Sequence, residues 1–152
     1  MYGKTVTIFN FYESPTTNEA RWYPHVIEHV DLIEDRGAIL KKYGPDSKDN
    51  AVLHIRCLVD GGESRITDKN GTVLLYRTPR EWSKQVNDEL PLSITFGSGD
   101  FFATGDYGPD VIPDANYPAG LYQHLNSTRD GVYKITSVGM YTLIPHLEIL
   151  GR

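Results

Sequence analysis

The sequence predicts a mainly β protein: a single small β-barrel or sandwich-like domain over residues 1–152, with one or two short helices and long loops. Three observations carry that expectation. Short runs such as Lys4–Tyr12 and Val132–Val138 alternate side chains with period two, and β-branched and aromatic residues fill them, the pattern of strands with one buried face. Gly- and Pro-containing turn signals separate these runs at short intervals. An apolar run, Leu143–Leu150, lies close to the C-terminus after the turn signal Asp130-Gly131, which ties that end of the chain into a sheet.

In chain order, Lys4–Tyr12 reads as a strand and Glu13–Glu19 as a polar loop. Arg21–Ile33 is the next extended run, with Trp22, Val26, Val30 and Leu32 expected on one side and Pro24 pointing to an edge position. Asp35–Tyr43 reads as short helical or irregular sequence ended by Gly44-Pro45, Pro45–Asn50 as a polar loop, and Ala51–Val59 as a strong strand. Asp60-Gly61-Gly62 turns the chain. Asn70-Gly71, the best hairpin signal present, joins Ser64–Thr67 to Thr72–Tyr76. Thr78-Pro79-Arg80-Glu81 has the form of a capping box with proline at the first helical position. It predicts a helix from Pro79 to about Asn87 that buries Trp82. Leu92–Phe96 and Phe101–Thr104 read as strands, and Gly105–Ala115 as a long loop. Tyr117-Pro118 opens a second helix to about Asn126, with Leu121, Tyr122 and Leu125 at helical spacing. Val132–Val138 and Leu143–Leu150 form the closing hairpin.

Composition narrows the function classes. Of 152 residues 39% are hydrophobic and 23% charged, enough for a packed core and too much for a disordered chain. No apolar run approaches the length of a membrane-spanning helix, and Met1-Tyr2-Gly3-Lys4 leads directly into strand-like sequence, so neither a membrane anchor nor a secretion signal is expected. The single Cys57 forms no internal disulfide and reads as a small core hydrophobe, which fits a reducing cytoplasm as the place of synthesis. The net charge of −5, without clustered Lys and Arg, argues against tight grip on a phosphate backbone.

The motifs with chemical content are few. His25-Val-Ile-Glu-His29 matches the H-x-x-E-H pattern of inverted zinc peptidases, whose two histidines face one metal only if they sit a turn apart on a helix. The hydrophobic order around it is that of a strand carrying two exposed histidines, so no metal and no catalytic residue is assigned; a zinc-dependent hydrolase stays a remote alternative. Gly97-Ser98-Gly99-Asp100 lacks the surroundings of a nucleophile elbow, and the acidic loop Gly105–Asp110 lacks calcium-ligand spacing. No phosphate-cradling or dinucleotide-binding motif is present, and no cofactor is expected. Ten tyrosines and two tryptophans, among them Tyr2, Tyr12, Trp22, Tyr23, Tyr107, Tyr117 and Tyr122 at strand ends or in loops, favour a protein with partners. A β-barrel ligand-binding module is the other class these features allow.

Four stretches carry a family resemblance: Trp22–Val30, Asp35–Arg56, Pro79–Tyr107 and Val132–Arg152. Together they resemble small structural proteins encoded in the morphogenesis modules of tailed phages and prophages of Gram-positive bacteria, which carry the label minor capsid protein. The closing pattern VYKITSV followed by HLEI-x-G is also similar to head–tail joining proteins of the stopper or head-completion type. The loops at 60–72 and 105–117 are longer than a minimal joining barrel needs.

This resemblance implies a non-enzymatic virion protein, made in the host bacterial cytoplasm and residing at the neck. There it would form a homo-oligomeric ring, a hexamer or dodecamer, between portal or adaptor proteins and the tail terminator. Genome DNA would pass through the ring without sequence-specific binding. A tail terminator or a capsid decoration protein is the alternative within the same class. Two loop groups are the expected interface or channel residues: Asp68, Lys69, Asn70 and Gly71 at a hairpin tip, and Asp100, Asp106, Tyr107 and Asp110 in an acidic region.

Overall fold

A computed structural model describes residues 2–34 and 51–152. The stretches Asp35–Tyr43 and Pro45–Asn50 lie outside the described residues. Among these described residues eleven strands follow one another: β1 (Lys4–Glu13), β2 (Ala20–Glu34), β3 (Ala51–Arg56), β4 (Leu58–Asp60), β5 (Glu63–Thr67), β6 (Val73–Tyr76), β7 (Ser93–Ile94), β8 (Phe101–Thr104), β9 (Ile112–Pro113), β10 (Val132–Tyr141) and β11 (His146–Gly151). Among the described residues two α-helices interrupt them, α1 (Pro79–Ser83) and α2 (Leu121–Thr128).

Six strands close into a barrel in the order β1-β8-β10-β11-β3-β2, and β2 returns to β1. Every barrel pairing is antiparallel, and closure removes the open edges that a flat sheet would present. The barrel is filled, not hollow: Val6, Ile8, Ile27, Leu53, Phe102 and Ile149 are buried together inside it. A second, four-stranded sheet, β4-β5-β6-β7, adds Ile66, Leu74 and Ile94 to the same core. Its β6–β7 pairing is parallel.

The C-terminal hairpin is β10–β11, and β11 lies between β10 and β3 inside the closed wall. Gly151 holds a position that no side chain could share: a Cβ there would stand 2.9 Å from the Phe102 ring and 3.0 Å from Tyr133 Cβ. Period-two alternation breaks twice. On β2 the pairing steps from Val6↔Ile27 to Lys4↔Val30, which leaves one extra residue near His29, itself at φ +58°. That bulge flips the parity. Tyr23, His25 and Ile27 share an inward face before it, and Val30 and Leu32 turn inward after it, while Trp22 joins an outer cluster under α2. The expectation of Trp22, Val26, Val30 and Leu32 on one side is corrected accordingly. A second bulge on β10, between Ile135 and Ser137, does the same for Val138.

Outside the barrel wall, Phe9, Trp22, Phe101 and Val132 pack against Leu121 and Leu125 of α2. Trp22 Nε1 and the Leu121 amide both donate to Asp114 Oδ1, each at 2.9 Å, which anchors the start of α2. At one barrel end Tyr12, Tyr23, Trp82 and Leu90 form a third cluster. The Thr78–Glu81 capping box forms as expected and Trp82 is buried. However, α1 stops at Ser83, and a 3-10 turn, Asn87–Leu92, carries the chain through Pro91.

Three further boundaries differ from expectation. Cys57 splits the expected strand Ala51–Val59 into β3, in the barrel, and β4, in the second sheet. The loop Gly105–Ala115 contains β9, which pairs with Arg21 and Trp22. The second helix begins at Leu121 and not at Tyr117.

Candidate functional site

The hairpin tip expected to reach outward folds back onto its own chain. Asp68 Oδ1 accepts the amides of Asn70 and Thr72, each at 2.9 Å, and Gly71 adopts φ +83°, so the turn is locally built. The Lys69 amide then donates to the Val26 carbonyl at 2.8 Å, on a stretch of β2 paired only with β1. Lys69 Nζ meets Asp106 Oδ2 at 2.6 Å, and Gly108 N donates to Asp106 Oδ1 at 2.8 Å. The hydrogen bond to Asp106 raises the Lys69 pKa, and the same bond lowers that of Asp106. Five of the candidate residues, Asp68, Lys69, Asn70, Gly71 and Asp106, thus form one clasp, and four of them border a cavity of about 290 Å³.

The remaining candidates lie elsewhere. Tyr107 turns its ring edge toward Phe9, at 5.6 Å between centroids, and receives the Arg129 guanidinium on its face. Asp110 is exposed. Asp100 is no part of an acidic surface: it is 5% exposed, and its two carboxylate oxygens accept the amides of Phe11 and Gly97, both at 2.8 Å. Burial pushes its pKa up to about 6 against the pull of those donors. The acidic region Asp100, Asp106 and Asp110 is therefore not one patch.

The H-x-x-E-H motif lies on β2, so its histidines do not share a helical face. His25 is buried against Trp82 while Glu28 and His29 are exposed, which corrects the expectation of two exposed histidines. Burial lowers the His25 pKa to about 4, and its Nε2 has no hydrogen-bond partner among the described residues. Among the described residues no group of three His, Cys, Asp or Glu side chains is placed to hold a metal, and no helix is long and apolar enough to cross a membrane.

The aromatic surplus is mostly internal. Tyr12, Trp22 and Tyr23 are buried, and Tyr2, Tyr107, Tyr117 and Tyr122 are half-buried. Tyr2 lies under the Arg56 guanidinium, and the others serve the outer cluster under α2 and the barrel end. Exposed apolar surface sits instead where the closing hairpin turns. The expected strand Leu143–Leu150 begins only at His146, and Leu143 and Ile144 occupy the tip, 97% and 76% exposed. Pro145, which cannot donate to a ladder, holds them out of the strand.

Of two contacts beside this tip, the first extends the β3–β11 ladder and the second reaches the second sheet. The Cys57 amide donates to the Pro145 carbonyl at 3.2 Å, and Ser64 Oγ donates to Met140 Sδ at 3.2 Å. Leu58 (70% exposed) and Val59 on the edge strand β4, and Met140 and Tyr141 on β10 just before the turn, are exposed apolar side chains as well. The sequence reading missed this exposed tip. Its signal was the apolar pair immediately before a proline, Leu143-Ile144-Pro145.

A comparison over the whole chain then places it. The model of a family of unknown function, DUF6751, matches residues 1–152. The chain belongs to DUF6751. No curated protein and no solved structure matches it. Within DUF6751 this chain pairs a filled barrel with an apolar hairpin tip that is exposed among the described residues.

Proposed function

We propose that this DUF6751 protein is a non-enzymatic virion component of the phage neck, assembling as a head-completion or stopper ring between portal or adaptor and tail. The observation that carries the reading is the exposed apolar pair Leu143 and Ile144 at the turn of the closing hairpin, with Leu58 exposed on the edge strand β4. Exposed apolar side chains and unpaired strand edges are what a partner protein covers. The closed barrel supports the same reading, because it gives a rigid brick whose open edges, among the described residues, are β4 and β7 of the second sheet and the two-residue β9. The net charge of −5 suits a ring through which DNA slides, since it offers the phosphates no cationic grip. The channel of such a ring runs between subunits, because the barrel of each subunit is filled with side chains.

Native mass spectrometry tests the proposal on the purified chain, alone and with the portal and tail-terminator proteins encoded beside it. A hexamer or dodecamer, formed alone or on the portal, is the expected result. Binding only to the tail tube would reassign the chain as a tail terminator, and binding only to capsid lattice as a decoration protein. A persistent monomer that binds none of them contradicts the proposal.

A further inference from the structure

A pocket of about 320 Å³ opens where α2 leans on the outside of the barrel wall. Register builds its floor. Phe11 stands opposite Trp22 on β1 and β2, and Phe101 opposite Lys134 on β8 and β10; directly opposed residues share a sheet face. Tyr122, in the first turn of α2, adds the next wall. The four rings meet edge to face in sequence: Phe11 with Trp22 at 5.1 Å, Trp22 with Phe101 at 4.9 Å, and Phe101 with Tyr122 at 5.2 Å between centroids.

Three polar side chains border these rings, and they differ in what they offer. Asp100 is 5% exposed, and its two oxygens are turned to the amides of Phe11 and Gly97. Gln123 is exposed and uncharged. Lys134 is exposed, with its ammonium 4.7 Å from the centre of the Tyr122 ring, and among the described residues no carboxylate pairs with it. A cation already resting on that ring leaves little for a second cation to gain there. What the ammonium lacks is an anion.

The surroundings limit the size of the occupant. Among the described residues no large exposed apolar side chain borders this pocket, so its apolar surface ends at its own rim. A protein partner needs a wider apolar core than that. The volume lies at the lower end of small-molecule sites, which start at about 300 Å³ and pair an apolar lining with a few placed polar groups.

We propose that this pocket binds a small aryl carboxylate, its ring seated among Phe11, Trp22, Phe101 and Tyr122 and its carboxylate paired with Lys134. The site is independent of the ring reading above: either stands if the other falls.

The probe is 3-phenylpropionate, titrated into the full chain and followed by two-dimensional 1H–15N NMR. The Trp22 indole N–H and the Gly99 and Lys134 amides should shift saturably, with a Kd of about 1 mM or tighter, while the Trp82 indole N–H stays in place. The neutral amide 3-phenylpropanamide should bind about three- to fivefold more weakly, the worth of one partly screened ion pair, and phenethylamine more weakly still. Lys134→Gln should erase the preference for the acid over the amide. At Gly99, which lines the pocket, a Cβ would meet nothing within 4 Å, so Gly99→Leu should fill the mouth, leave circular dichroism unchanged and abolish binding of both.

No saturable shift by about 10 mM acid would overturn the proposal, as would undiminished binding to Gly99→Leu. Tighter binding of phenethylamine than of the acid would replace it with a cation site. An acid preference that survives Lys134→Gln would remove the assigned ion pair and overturn it too. Binding of a tetrapeptide ending in phenylalanine, without binding of the free acid, would overturn the small-ligand reading in favour of a partner chain's C-terminus.

Discussion

Lowering the pH from about 6 to about 4.5 should leave the stability of the wild-type chain nearly unchanged, because two buried groups oppose each other. His25 is buried neutral, with its pKa lowered from 6.5 to about 4. The unfolded chain takes up that proton below about pH 6.5 and the folded chain only below about 4, so His25 makes stability fall with pH across this window. Asp100 works in reverse. Its pKa rises from 3.8 to about 6, so the folded carboxyl keeps a proton that the unfolded chain has released, and stability rises as pH falls through the same window.

At about 1.4 kcal/mol per pH unit, each group contributes on the order of 3 kcal/mol across its full range, with opposite sign. Their sum should stay within about 1 kcal/mol. The Thr78 and Lys69 hydrogen bonds lower the pKa values of Glu81 and Asp106 respectively, so the stability these two groups contribute is lost as pH falls below the ordinary carboxylate range. Urea unfolding at a series of pH values reads the slopes directly. His25→Leu leaves Asp100 alone and should gain about 2 kcal/mol between pH 6 and 4.5; Asp100→Asn leaves His25 alone and should lose about as much. A His25→Leu profile as flat as the wild type would refute the reasoning.

Two further perturbations follow from the fold and the clasp. Gly151→Ala places a methyl 2.9 Å from the Phe102 ring and should cost about 1–3 kcal/mol in urea unfolding; an unchanged midpoint would show that the last strand is not held in the barrel wall. Lys69→Ala removes an exposed, solvent-screened pair, so the urea midpoint should barely move. Amide exchange at Gly108, tied through Asp106, should nevertheless quicken.

The barrel was legible because alternation survives wherever one strand face is buried, as in Lys4–Tyr12. What escaped were single-residue events. The extra residue at His29 resets the parity of β2, and nothing in Glu28-His29-Val30 announces a bulge. Cys57 passes the chain from one sheet to the other without a Gly or Pro to mark it. The hairpin tip at Asn70 was legible as a turn, but its docking partner Asp106 lies 37 residues away from Lys69, and such long-range pairing leaves no local trace. Asp100 read as a loop carboxylate because its acceptor role depends on the amide of Phe11, a strand neighbour distant in sequence. Leu143 and Ile144 read as strand because hydrophobicity alone does not separate a buried run from an exposed knob.

The position and copy number of this chain in an assembled particle test the central claim most directly. Cryo-electron microscopy of tailed particles from a strain that encodes it should show a closed ring of six or twelve of these barrels at the head–tail junction, with the 143–144 tip covered by another protein. Particles whose complete neck contains no copy of the chain would contradict the account.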